Sequence, residues 1–412
     1  MTSTPPGTAE DIRWRYPLFV AAGSALLGVA VHLARPFLPV QAEMVGLGIG
    51  LIAASFMLAW AADAGESVFS GGFVLAAVAL VTVLPEFIIE VRFAYIQSAE
   101  LVTANLTGAT RLLLTGAVAL PLVVAYLARS RGQTAPPLQL AANRRLELGI
   151  LLVTSLFAIH IAVRGSLTIF DGVILIALYI LYARRVKGTP DEEPAVVGVA
   201  AGLLSLPPAH RRLWITALIV LAAAVVITIA NPFADALLQT GTALGLDPYL
   251  LIQSVVPVAT EAPEFVVVAV LVLNHRPAQG LALFLAASVS QWTLGMGALP
   301  LAYAAGGGGV SMPLAGREQL EVSFTIAVTL FVVAALATLR PERVDAYLIV
   351  SVFVVQLIYP SPFIRFAATF VLLVFAIDLL IARRHFVRPL LRTGFGWRRR
   401  NAASADAQET HP

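Results

Sequence analysis

The chain has 412 residues, 59% of them apolar and only 12% charged, with a net charge of +3 and no cysteine. A soluble domain of this size carries about 25% charge, so water is not its main solvent. The absence of thiols excludes disulfides, zinc–thiolate sites and cysteine nucleophiles. The arginines sit in short segments beside apolar runs, a pattern that reports membrane topology and not a nucleic-acid partner.

A helix that crosses a bilayer needs roughly 20 mostly apolar residues. Hydropathy predicts about twelve such spans, at 17–38, 42–63, 71–95, 100–126, 147–163, 167–183, 213–231, 248–273, 279–304, 322–339, 343–359 and 363–383. The polar start, Met1 to Trp14, has no small-residue cleavage site after the first apolar run, so the first span reads as retained. With the N-terminus inside, 21 Lys and Arg fall in inner segments and 4 in outer ones. That asymmetry predicts a multi-pass protein of the plasma (inner) membrane with both termini cytoplasmic.

Span 3 contains Thr82-Val-Leu-Pro-Glu86-Phe87, and span 8 contains Thr260-Glu-Ala-Pro-Glu264-Phe265, 178 residues later. At an offset of 179, Gly116-Ala-Val-Ala-Leu-Pro121-Leu falls on Gly295-Met-Gly-Ala-Leu-Pro300-Leu. Two motifs recurring in order indicate duplication. The copies are five spans apart, an odd number, so they cross the membrane in opposite directions. The predicted fold is an all-α polytopic bundle of inverted five-helix repeats with one extra helix at each end. Its parts are an N-terminal tail and extra span (1–41), a first repeat (42–183), a cytoplasmic linker (184–212), a second repeat (213–360), and an extra span with a basic tail (361–412).

A carboxylate near the bilayer centre costs several kcal/mol, so Glu86, Glu90, Glu261 and Glu264 each require a partner, a proton or a cation. Pro85 and Pro263 remove backbone donors and free carbonyls about one turn earlier. Freed carbonyls beside a carboxylate make an oxygen-rich pocket suited to hard cations. Thr82 and Thr260 lie four residues before Glu86 and Glu264, on the same helix face, and add hydroxyl oxygens. Glu261 shares a turn with Glu264, which asks for a shared proton or a divalent cation between them. Glu90 lies two residues before Arg92 and reads more readily as its neutralising partner than as a ligand. Polar interruptions in spans 4 and 9 offer Asn105 and Gln291 as further ligands. Arg111 stays charged and has to be paired; either it bonds a site carboxylate, exchanging with the transported ion, or it forms a fixed ion pair.

These residues resemble the sodium/calcium exchanger membrane region of the calcium:cation antiporter superfamily. In that family each five-helix unit carries Gly-Thr-Ser-Leu-Pro-Glu, followed by Gly-Asn-x-x-Gly-Ser-Asn. Thr82, Leu84, Pro85 and Glu86 match the first motif, Asn105 and Gly108 the second, and Thr260, Pro263 and Glu264 the first motif again. The resemblance implies that Glu86 and Glu264 are the central calcium ligands, with oxygens from Thr82 and Thr260. It also departs from the pattern: Val83 and Glu261 replace a serine, and Ala109-Thr110 replaces Ser-Asn. The Ser288 to Gln291 spacing is closer to the proton-coupled branch. The expected activity is exchange of Ca2+, or a related cation, for Na+ or H+ by alternating access, with no cofactor. A cation channel or a non-transporting sensor that keeps the fold is the alternative. No Ser-His, paired-Asp or His-Glu-x-x-His arrangement points to an enzyme.

Overall fold

The computed structural model describes residues 9–69, 83–116, 138–186, 196–274, 276–341, 343–358 and 361–395, together with 119, 129 and 132. Its helices are α1 (Ala9–Leu33), α2 (Val40–Val68), α3 (Leu84–Tyr95), α4 (Ala99–Arg111), α5 (Arg145–Arg164), α6 (Ile169–Val186), α7 (Gly198–Leu204) and α8 (Pro208–Ala243). They continue as α9 (Pro248–Leu273), α10 (Pro277–Ser290), α11 (Met296–Ala305), α12 (Arg317–Leu336), α13 (Arg343–Ile358), α14 (Pro362–Ala382) and α15 (Arg384–Phe395). Among the described residues, eight helices are long and apolar enough to cross a membrane, α10 and α11 counting as one. The first half of the predicted third span and the second half of the fourth lie outside the described residues.

Two predicted boundaries differ. The seventh span, expected at 213–231, is the 36-residue α8, which runs on through Pro232. At 1.5 Å per residue it is roughly 54 Å long, well beyond the bilayer core, so polar turns extend it past the apolar stretch. The expected linker and tail also contain helices, α7 and α15. Arg, His and Pro punctuate α15, which hid its helical turn from a reading based on apolar run length.

The two halves interleave. Helix α2 packs on α8, α4 on α9, α5 on α12, and α3 and α6 on α11. Backbones approach closely where side chains are absent: a Cβ at Gly108 would lie 2.1 Å from the Gln253 carbonyl oxygen. Membrane helices associate through such small-residue contacts because lipid tails leave them no hydrophobic drive. Strands β1 (Ser166–Thr168) and β2 (Ser311–Pro313) pair antiparallel, with Leu167 opposite Met312. The Gln97 amide, on the same predicted side, donates to the Gly306 carbonyl at 2.7 Å. On the other side the Leu140 amide donates to the Leu339 carbonyl at 2.8 Å. Loops predicted to share a face therefore touch one another. The outer surface of α14, with Phe363, Phe366 and Phe370 exposed, suits lipid.

The repeat reaches further than the two sequence motifs. Five-residue π turns follow α4, at Leu112–Gly116, and α10, at Gln291–Gly295, again 179 residues apart. Such turns are frequent at functional sites. A third recurrence joins α5 to α12: Leu146-Glu147 matches Leu320-Glu321, and Leu156-Phe157 matches Leu330-Phe331, at an offset of 174.

Candidate cation site

Glu86 opens α3, with Pro85 in the same first turn. Proline is well tolerated there because its missing N–H has no intrahelical partner; the residues before Val83 lie outside the described residues. In the second copy, α9 continues through both Pro257 and Pro263. Thr260 donates its hydroxyl to the Val256 carbonyl at 3.1 Å and stays buried beside the proline.

Helices α3 and α9 bring acids from the two repeats together. Thr260 and Glu261 lie near the Glu86 carboxyl. Glu261 in turn lies near the Gln291 amide and interacts with the charges of Glu86, Glu264 and Glu90. Glu264 interacts with Glu86 and with Asp63 of α2. Glu86, Glu90, Asn105, Thr260, Glu261 and Gln291 are all buried, and Glu264 is half-buried. The structure therefore gathers six of the seven predicted ligands, Glu86, Glu264, Thr260, Glu261, Asn105 and Gln291, around one locus. The seventh, Thr82, lies outside the described residues.

Four acceptor oxygens here have no hydrogen-bond partner: Glu86 Oε2, Glu90 Oε2, Glu264 Oε2 and Asn105 Oδ1. A buried acceptor without a donor is costly, and an ionised one in a membrane more so. Protons, cations or bound water relieve such oxygens. Among the described residues no three His, Asp or Glu side chains close into a ready metal cage, so a cation there would also draw on amide and backbone oxygens. A small cavity reaches the locus, lined by Val83, Glu86, Phe87, Glu90, Ser290, Gln291 and Gly295.

Two expectations are corrected. Glu90 does not neutralise Arg92. Arg92 forms a two-pronged ion pair with Asp235 of α8, at 2.8 and 2.9 Å, while Glu90 turns inward, is 0% exposed and accepts from Asn105 Nδ2 at 3.3 Å. Arg111 does not bond a site carboxylate. Its Nη1 donates to Glu321 Oε2 of α12 at 2.7 Å, and its guanidinium lies 5.0 Å from the Phe324 ring centroid. Arg365 of α14 also pairs with Glu321. Gln253 then ties the group together: its Nε2 donates to Glu321 Oε2 at 3.0 Å and its Oε1 accepts from Arg365 at 2.9 Å. The hydropathy pattern gave no sign of Glu321, Gln253 or Arg365. The recurrence of Glu147 at Glu321 was the signal available for the first of them.

A model of the sodium/calcium exchanger protein family matches residues 41–186 and 214–381. The chain belongs to the sodium/calcium exchanger family. Membership makes it a multi-pass membrane transporter of inorganic cations and not an enzyme. Among solved structures it is similar to the H+/Ca2+ exchanger CAX, with 28% identity over 93% of this chain and 98% of that one, and a TM-score of 0.86. It shares its fold with YfkE, at 15% identity, 83% and 98% coverage and a TM-score of 0.62. It does so also with the sodium-calcium exchanger NCX_Mj, at 18% identity, 81% and 99% coverage and a TM-score of 0.51. No curated protein matches the sequence at a significant level.

Proposed function

We propose that this cation antiporter exchanges Ca2+ for H+ by alternating access, with Glu86 and Glu264 as the central ligands. The observation that carries this reading is that Glu86 and Glu264, from inverted repeats, lie close enough for their charges to interact, with an unpartnered oxygen on each. Thr260, Glu261, Asn105, Gln291 and the predicted Thr82 supply further oxygens. Hard divalent cations favour such all-oxygen surroundings, and inverted repeats that meet at midplane are built to open to each side in turn. The similarity to an H+/Ca2+ exchanger favours protons over Na+ as the coupling ion. So does chemistry: with the acids crowded, each Ca2+ released leaves several carboxylates that protons can neutralise. The site lies between units 42–183 and 213–360, and we place both termini on the cytoplasmic face of the plasma membrane.

Calcium uptake into inverted vesicles, driven in turn by a proton and a sodium gradient, separates the couplings. Uptake is expected with the proton gradient. Uptake with the sodium gradient alone would make Na+ the coupling ion. Glu86→Gln and Glu264→Gln each remove one charge without changing shape, and each is expected to lower exchange at least about a hundredfold, the scale of losing a principal ligand. Full-rate transport by either variant would overturn the site. The channel or sensor alternative rests on Arg111 and on the departures from the second motif; the engagement of Arg111 by Glu321 removes the first of these supports.

A further inference from the structure

The two repeats provide equal central acids but unequal surroundings, and the inequality points to a second site. Around Glu86, the repeat offsets pair Phe87 with Phe265, Glu90 with Val268, Gln291 with Leu112 and Gly295 with Gly116. On the Glu264 side these positions are filled with hydrocarbon. Val268 packs with Leu113, Val272 and Phe284, and the Phe265 and Phe284 rings stand 5.0 Å apart. A Cβ at Gly116 would rest against Leu112 and Phe265 at 3.5 Å, an ordinary contact.

On the Glu86 side Glu90 and Gln291 are polar, and all four positions line a cavity. A Cβ at Gly295 would come within 2.9 Å of Gln291 Oε1 and 3.6 Å of Glu90 Oε2. The bare glycine thus leaves two acceptor oxygens converging on space that a methyl group would fill. Glu90 and Asn105 are 0% exposed, and Glu90 Oε2 and Asn105 Oδ1 have no partner. Glu90 lies one helical turn from Glu86, on the same face, and its Oε1 already holds the Asn105 amide. A buried acid and a buried amide, each with an oxygen short of a donor, with the Gln291 oxygen and a glycine cradle beside them, form a built site for a hard cation.

We propose that Glu90 extends the site into a second, off-centre cation subsite, where a divalent cation is held one turn away from Glu86; it shares Asn105 and Gln291 with the central one and has no counterpart around Glu264. The identity of its cargo rests on the calcium-antiporter reading. An off-centre site reached through one repeat serves one face of the membrane, because the equivalent route past Val268 is closed by side chains.

The test measures the Ca2+ dependence of thermal stability of the full chain in detergent, alongside transport in proteoliposomes of known orientation. Glu90→Gln is expected to raise the Ca2+ concentration for half-maximal stabilisation about tenfold, since ligand charge tunes affinity on that scale, and Glu90→Asp is expected to recover part of it. In transport, Glu90→Gln raises the half-saturating Ca2+ on one face and not on the other. If Glu90→Gln does not fold, Gly295→Ala keeps the acid but fills the cradle, and the same loss of affinity is expected. An unchanged Ca2+ dependence in whichever variant folds, or an equal change on both faces, overturns the subsite. If wild type responds to Na+ and not to Ca2+, the calcium reading fails, and the subsite then stands or falls on the same comparison made with Na+.

Discussion

Glu321 shows how a buried charge is made tolerable. It is 0% exposed, yet it accepts from Arg111 at 2.7 Å and from Gln253 at 3.0 Å, and it also pairs with Arg365. Removing one partner from such a group leaves uncompensated charge, at a cost of about 3–5 kcal/mol. Glu321→Gln, which strands two arginines, is therefore expected to lower the melting temperature in detergent strongly, while Glu86→Gln leaves it close to wild type or higher. The contrast separates the two kinds of buried acid: Glu321 is held by fixed cations, whereas Glu86 retains an oxygen without a partner. Glu90 illustrates the limit of reading neighbours along a chain. Arg92 is two residues away in sequence, but residues so spaced on a helix point to different faces, and each side chain found its partner elsewhere.

Among the elements, α9 is the best anchored at its start. Asp247 caps it, accepting from the Tyr249 N–H at 2.9 Å, and pairs with Arg317 of α12 at 2.8 Å. Arg317 also lies 3.9 Å from the Tyr249 ring centroid. Burial by itself raises the Asp247 carboxyl, but the hydrogen bonds and charge of Arg317, with the Tyr249 and Leu250 N–H groups, hold it below the ordinary aspartate range. A carboxyl depressed in the folded state contributes stability that is complete above its unfolded value, about 3.9, and is lost as pH falls through its folded value. Asp247→Asn is thus expected to be less stable at neutral pH and to show a shallower acid loss below about pH 4; equal slopes would show that the cap does not couple to folding. Because Asp247 is partly exposed, solvent screens the effect and keeps it modest.

At the scale of the whole molecule, the predicted orientation can be checked cleanly because the chain has no cysteine. Single cysteines introduced by Ser3→Cys and Ser404→Cys are expected to react with an impermeant maleimide from the same face, the one opposite β1 and β2; labelling from opposite faces would require an odd number of spans. Membrane residence, the repeat and the paired Pro-Glu motifs were legible in the sequence, because a bilayer demands long apolar runs and duplication leaves its mark at a constant offset. Glu86 and Glu264 stood out in the sequence for the same reason: a charge inside an apolar run is expensive enough to need a purpose. The partner of each charge was decided by the tertiary structure alone. Arg111 and Glu321 are 210 residues apart, and Arg92 and Asp235 are 143 apart, so their pairing depends on how the interleaved repeats bring α4 to α12 and α3 to α8. The inequality of the two Pro-Glu surroundings also needed the fold, since Glu90 and Val268 differ in meaning only once one faces a cavity and the other a packed aromatic cluster.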